Sequence, residues 1–205
     1  MNQFEYYSSL LKLLDEVKWN KIERFGNLYA KGKELCYNPF LDVLYADLNY
    51  TLTNGHVGIA TLKFLKKEIA EKAEEILNEK IPKKDRIIKI AKLVKGIKVS
   101  QLKKASERAS EEVNIAEYIL EDLKNLKPTS LVIFTNIPSI TAEIFVEMKI
   151  KPICNSSIRV YASEFEQKHG ILTGKVKYVP DEFERYKIIA VDHFKFLKKH
   201  LELIS

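Results

Sequence analysis

Two short stretches place carboxylate, amide and hydroxyl side chains directly after apolar runs. Val43 to Ala46 leads into Asp47-Leu48-Asn49-Tyr50-Thr51-Leu52-Thr53, and Leu131 to Phe134 leads into Thr135. A buried parallel strand exposes its functional groups at its carboxyl end, where open α/β sheets bind ligands. An aspartate in that place has the chemistry of a nucleophile toward phosphorus. A hydroxyl at the end of a neighbouring strand can hold phosphoryl oxygens. Turn chemistry accounts for the same residues, since Asp and Asn favour loops and Thr commonly closes a strand. On spacing alone the turn is the simpler account. The four histidines, His56, His169, His193 and His200, form no metal-ligand spacing, and no Ser or Cys stands in a nucleophile motif.

The elements around these residues follow from the pattern. Phe4, Tyr7, Leu11 and Leu14, then Ile22, Phe25 and Tyr29, predict helices before Asn38-Pro39. Val43 to Ala46 reads as a short strand. From Gly58 to about Ser110 the period is helical throughout, with breaks at Pro82 and Gly96. A further helix from Ile115 to Leu126 stops at Pro128. Leu131 to Phe134 is a continuous apolar run, as in a strand buried on both faces. A helix is expected from Ser139 to Met148. Arg159 to Phe165 and Ile171 to Val179 then flank a Lys168-His169-Gly170 turn and read as a hairpin. Residues 181–204 have helical spacing at Phe183, Tyr186, Ala190, Phe194, Leu197 and Leu201. Ile188 to Val191 also fits a strand ending at Asp192, but the amphipathic period favours the helix. A strand, a helical block and a renewed strand–helix alternation predict an α/β core with a helical insertion.

Composition sets the class. With 46% hydrophobic and 30% charged residues, the chain is that of a soluble globule. No run reaches the apolar length of a membrane span. Glu5, Lys12, Asp15 and Glu16 interrupt the N-terminal segment, so a secretory signal is not expected. Cys36 and Cys154 are the only cysteines, which predicts no disulfide framework and a cytoplasmic setting. The net charge of +6 is concentrated between Lys80 and Lys104, where ten basic residues face one acid, Asp85. That stretch reads as a solvated helix face. Without interleaved aromatics it lacks stacking platforms, and nucleic acid is not expected as a partner.

In order and texture these segments resemble the haloacid dehalogenase-like hydrolases, and phosphoserine phosphatases most. Tyr45 to Thr53 is similar to the first motif, an apolar strand running into DxDGTLT. Leu93 to Leu102 looks like the helical cap of the phosphoserine phosphatases. Leu131 to Thr135 resembles the second motif, and Tyr161 to Val176 the hairpin with a DGxLTG turn. The likeness spans residues 43 to 187, about seven-tenths of the chain. It implies a Rossmann-like parallel sheet with a helical cap inserted after the first strand. The implied division is a core of residues 1–55 and 112–205, bearing an N-terminal helical extension, and a cap of 56–111.

The resemblance also implies roles. Asp47 stands as the nucleophile, Asn49 in place of the acid/base aspartate, Thr135 as the phosphoryl-binding hydroxyl and Lys187 as the charge-balancing cation, with Arg185 behind it. Thr51, His56 and Asn136 stand at substrate-binding positions. His56 replaces a glutamate that binds phosphoserine, and Asn136-Ile137 replace glycines. Asp47, the carbonyl of Asn49 and Asp192 are the candidate Mg2+ ligands. The fourth motif, an acidic pair, has no convincing counterpart, since Ser205 falls about where its strand would start. An amide at position 49 cannot exchange the proton that general catalysis needs, a loss of roughly 10²–10⁴-fold. The expectation is therefore a phosphatase homologue with weak or lost phosphomonoesterase activity, a pseudo-phosphatase acting by binding a small phosphorylated molecule or a protein partner. The alternative is an active Mg2+-dependent phosphomonoesterase working through an aspartyl-phosphate.

Overall fold

The computed structural model describes residues 35–38, 41–181, 184, 185, 187–189, 191, 192 and 195. The expected N-terminal helices and the end of the tail lie outside these residues. Five strands form one sheet in the order β1 (Leu35–Asn38), β2 (Val43–Asp47), β3 (Ser130–Pro138), β4 (Ser157–Lys168) and β5 (Ile171–Tyr178). β2, β3 and β4 are parallel, whereas β1 and β5 pair antiparallel at the two edges. The architecture is α/β, with a Rossmann-like core whose helical block follows β2.

Alternation assigns the faces. Leu44, Ala46, Leu131 and Ile133 point to one side and pack with Ile119, Ala142 and Phe145. Those last residues come from α5 (Glu117–Leu126) and α6 (Ser139–Phe145). Val43, Tyr45, Val132 and Phe134 point to the other side, where Ile188 and Ile189 cover them. All described residues between 184 and 195 are helical. The strand considered for Ile188 to Val191 is thus replaced by a helix, because its isoleucines are needed on the sheet face.

The helical block comprises α1 (Val57–Leu65), α2 (Lys67–Asn78), α3 (Lys83–Leu93) and α4 (Val99–Glu112). It has its own apolar cluster, in which Leu62, Ile87, Ile90 and Leu102 meet Leu172 of β5. The hairpin turn holds His169 and Gly170 at φ 51° and 73°, left-handed values that glycine adopts freely. The basic side chains Lys84, Lys89, Lys92, Lys95, Lys98, Lys103 and Lys104 are exposed. No helix among the described residues is long and apolar enough to cross a membrane.

Two features depart from the pattern. β1 was not expected, and the antiparallel pairing Leu35↔Ala46 to Asn38↔Val43 closes the outer edge of β2. β3 runs on to Pro138, with an irregularity between Phe134 and Pro138. Such breaks in register commonly re-aim side chains beside functional sites.

Candidate active site

β2 delivers Asp47 to the carboxyl edge of the sheet. Its Oδ1 accepts the backbone N–H of Asn49 at 3.1 Å, and its Oδ2 accepts Arg185 Nη2 at 2.8 Å. The two side chains are only 14% and 4% exposed, so this is a mostly buried ion pair. The Arg185 guanidinium also lies 5.5 Å from the ring centre of Phe134, which the register places opposite Asp47.

Asn49 is held at both ends. Its Oδ1 accepts Val57 N–H at 3.0 Å, and its Nδ2 donates to Thr135 Oγ1 at 3.4 Å. The Val57 N–H fixes which end is which, so the amide must present its NH2 group to Thr135. Thr135 is fully buried and also accepts Ile137 N–H at 3.5 Å. Alternation puts Thr135 on the sheet face away from Phe134 and Asp47, and Asn49 bridges the two.

His56 caps α1 by accepting Ile59 N–H on Nδ1 at 3.2 Å. Burial pushes its pKa down to about 4, so the ring is neutral near pH 7. With Nδ1 accepting, the proton sits on Nε2. Asn136 accepts from Lys83 Nζ at 2.8 Å and donates to the Pro180 carbonyl at 3.1 Å. Lys83, the first residue of α3, thereby reaches the end of β3. Nothing in its spacing marked it out from the lysines around it.

Most of these groups line one cavity of about 240 Å³, and Thr135 and Arg185 lie behind its wall. Asp47, Asn49, His56, Lys83 and Asn136 line it together with Arg86, Thr61 and Thr141, and Leu62, Ile87, Ile90, Val94 and Leu102 belong to its apolar wall. Thr51 does not line it; its side chain is buried and its carbonyl accepts Tyr118 Oη at 2.6 Å. Lys187 is exposed, and the cation at Asp47 is Arg185. Asp192 receives both Arg159 Nη atoms, at 3.2 and 2.5 Å, and Tyr45 Oη at 3.1 Å. It lies seven residues beyond Arg185, about 10 Å along a helix. The structure therefore places Asp47, Asn49, His56 and Asn136 on one cavity, sets Thr135 behind Asn49 rather than on the cavity wall, and leaves Thr51, Lys187 and Asp192 elsewhere.

Solved structures with the same architecture include a substrate-bound phosphoserine phosphatase complex, matched at TM-score 0.57 and 16% identity over 75% of this chain and 70% of that one. A phosphoserine phosphatase in apo form matches at TM-score 0.55 and 16% identity over the same shares. A haloacid dehalogenase family hydrolase from Salmonella enterica subsp. enterica serovar Typhi matches at TM-score 0.51 and 14% identity, over 76% of this chain and 51% of that one. The fold is that of the haloacid dehalogenase-like phosphatases. The chain spans between 51% and 70% of the length of these three structures. No family model matches the sequence, and no curated protein sequence matches it either.

By the likeness of Tyr45 to Thr53 to DxDGTLT, Asp47 at the end of β2 stands where that motif begins. Tyr50 stands at that motif's glycine and is held at φ 58°, a left-handed conformation that costs a tyrosine roughly 1–2 kcal/mol. Its ring meets His56 edge-on at 5.8 Å. That mismatch was visible in the sequence as a non-glycine in a glycine position.

The donors present do not fit Mg2+. The ion takes a near-octahedral oxygen shell and usually one or two carboxylates besides phosphate. Here Asp47 Oδ2 is occupied by a guanidinium and Asp192 is held by Arg159 and Tyr45, which leaves the Asn49 carbonyl without a second carboxylate beside it. No group of three His, Cys, Asp or Glu side chains suited to a metal exists among the described residues.

Proposed function

We propose that this chain is a haloacid dehalogenase-like phosphatase homologue that binds a small phosphorylated molecule and hydrolyses it very slowly or not at all. The observation that carries this reading is Asn49, clamped between Val57 N–H and Thr135 Oγ1 where a proton-exchanging carboxylate is required. An amide in that clamp cannot protonate a leaving alkoxide or take a proton from water.

Charge supports binding. Alone, Asp47 would repel a phosphate, but Arg185 neutralises it and Lys83 adds a positive charge in the same cavity. Cationic groups around a phosphoryl dianion stabilise it electrostatically.

A second reading is favoured by the position of Asp47 on the cavity wall with a counter-ion already beside it. In that reading Asp47 attacks phosphorus, the P–O ester bond breaks, and an aryloxide departs without needing a proton. Water then opens the aspartyl-phosphate.

Steady-state hydrolysis of an alkyl and an aryl phosphate, with and without Mg2+, separates the two readings. The wild type should leave the alkyl ester intact, and any aryl turnover should vanish in Asp47→Asn. Asn49→Asp should raise alkyl turnover more than aryl turnover. Robust Mg2+-dependent alkyl hydrolysis by the wild type would overturn the proposal.

A further inference from the structure

The cavity wall is mostly apolar, built like a hydrophobic core with the centre left open. Leu62, Ile87, Ile90, Val94 and Leu102 are between 1% and 9% exposed, yet all five face this space. Water in such a chamber finds few partners, whereas an apolar group that displaces it gains.

Arg86 also lines the cavity; its Nη1 donates to the Leu77 carbonyl at 2.6 Å, while its buried Nε finds no partner. His56 spends Nδ1 on the cap of α1. Asp47 is the only carboxylate among the lining residues, and Arg185 holds it. The lining therefore offers nothing for an ammonium group beyond the carboxylate that Arg185 already holds.

We propose that the occupant is an amphipathic phosphate, with its anionic head at Lys83 and Asn136 and an unbranched or aromatic apolar body of about six carbons against Leu62, Ile87 and Ile90. This rests on the reading that the cavity binds a phosphoryl group, and it adds the chemical class of what that group is attached to. The size follows from volume: about 240 Å³ equals roughly eight waters at ~30 Å³ each, room for about ten non-hydrogen atoms. An amino-acid phosphate, whose ammonium would meet only a carboxylate already held by Arg185, is a poor match.

The test is calorimetric titration of the full chain with methylphosphonate, n-hexylphosphonate, O-phosphoserine and 1-hexanol. The carbon–phosphorus bond of a phosphonate is not an ester, so binding is read independently of hydrolysis. Each methylene buried in such a wall contributes roughly fourfold in affinity. Five extra methylenes are worth up to about a thousandfold, and hexylphosphonate should exceed methylphosphonate by at least about fiftyfold. Ile90→Asn should narrow that ratio about tenfold. Lys83→Ala should weaken both phosphonates. O-phosphoserine should bind no better than methylphosphonate.

If the two phosphonates bind alike, the apolar body is wrong and the anion site survives. If 1-hexanol binds as tightly as hexylphosphonate, the anion site itself is wrong. If hexylphosphonate does not bind, this proposal fails. The wild-type series decides these outcomes even where Ile90→Asn does not fold.

Discussion

Replacing Arg185 with methionine isolates the charge that holds Asp47. Met keeps apolar contact with Phe134 and removes only the guanidinium. Two unit charges about 4 Å apart interact by roughly 4 kcal/mol at an effective dielectric near 20. Removing one partner of a buried pair costs about 3–5 kcal/mol, because the other charge is left desolvated. Asp47 keeps the Asn49 N–H and 14% of its exposure, which puts the expected loss at the low end, about 3 kcal/mol. Urea unfolding measures it. With a slope near 2 kcal/mol per molar, the midpoint should fall by about 1.5 M. The double variant Asp47→Leu/Arg185→Met should recover most of that loss, since apolar replacement of both partners is often neutral. A loss below about 1 kcal/mol for Arg185→Met, with no recovery in the double variant, would refute the claim that this pair is buried and tightly coupled.

His56 gives a pH dependence whose sign is fixed. Its folded pKa of about 4 lies below the ordinary 6.5, so the unfolded chain takes the proton first. Stability is then full above about pH 6.5, falls by up to about 3 kcal/mol as the pH drops to about 4, and is flat below. His56→Asn keeps an N-cap and removes the titration, so its stability should fall less over that window; parallel curves would contradict the assignment. Gly58→Ala should cost about 1–2 kcal/mol, because a Cβ there would lie 2.7 Å from Ile137 Cγ2. Thermal melts of Gly58→Ala in the wild-type and Ile137→Ala backgrounds check it, and a smaller loss in the second background, which lacks Cγ2, is expected.

The fold was legible where burial forces a simple code. Leu131 to Phe134 could be read as a strand because both its faces are covered, and the helical block because its period never breaks except at Pro82 and Gly96. β1 escaped because Leu35-Cys36-Tyr37-Asn38 is an edge strand, with no alternating pattern to announce it. In the site, Asp47 and Thr135 followed from their places at strand ends. Arg185 was passed over for Lys187 because spacing from a motif does not give helical phase. Arg185, Ile189 and Asp192 share one helix face by their four- and three-residue steps, and that face meets the sheet at Asp47, Phe134 and Tyr45. Lys187 falls outside it. The chamber was not legible at all. A void is what packing leaves over, and leucines that wall a cavity read the same as leucines that fill one.

The central claim is that the site holds a phosphate ester without cleaving it. Phosphorus NMR of the full chain with an equimolar alkyl phosphate and excess Mg2+, followed for a day, tests binding and turnover in one sample. The account predicts that the ester resonance shifts or broadens in the presence of the protein and that no inorganic phosphate appears. An inorganic phosphate signal that grows with the wild type and is absent with Asp47→Asn would contradict it, and so would an ester resonance that the protein leaves unmoved.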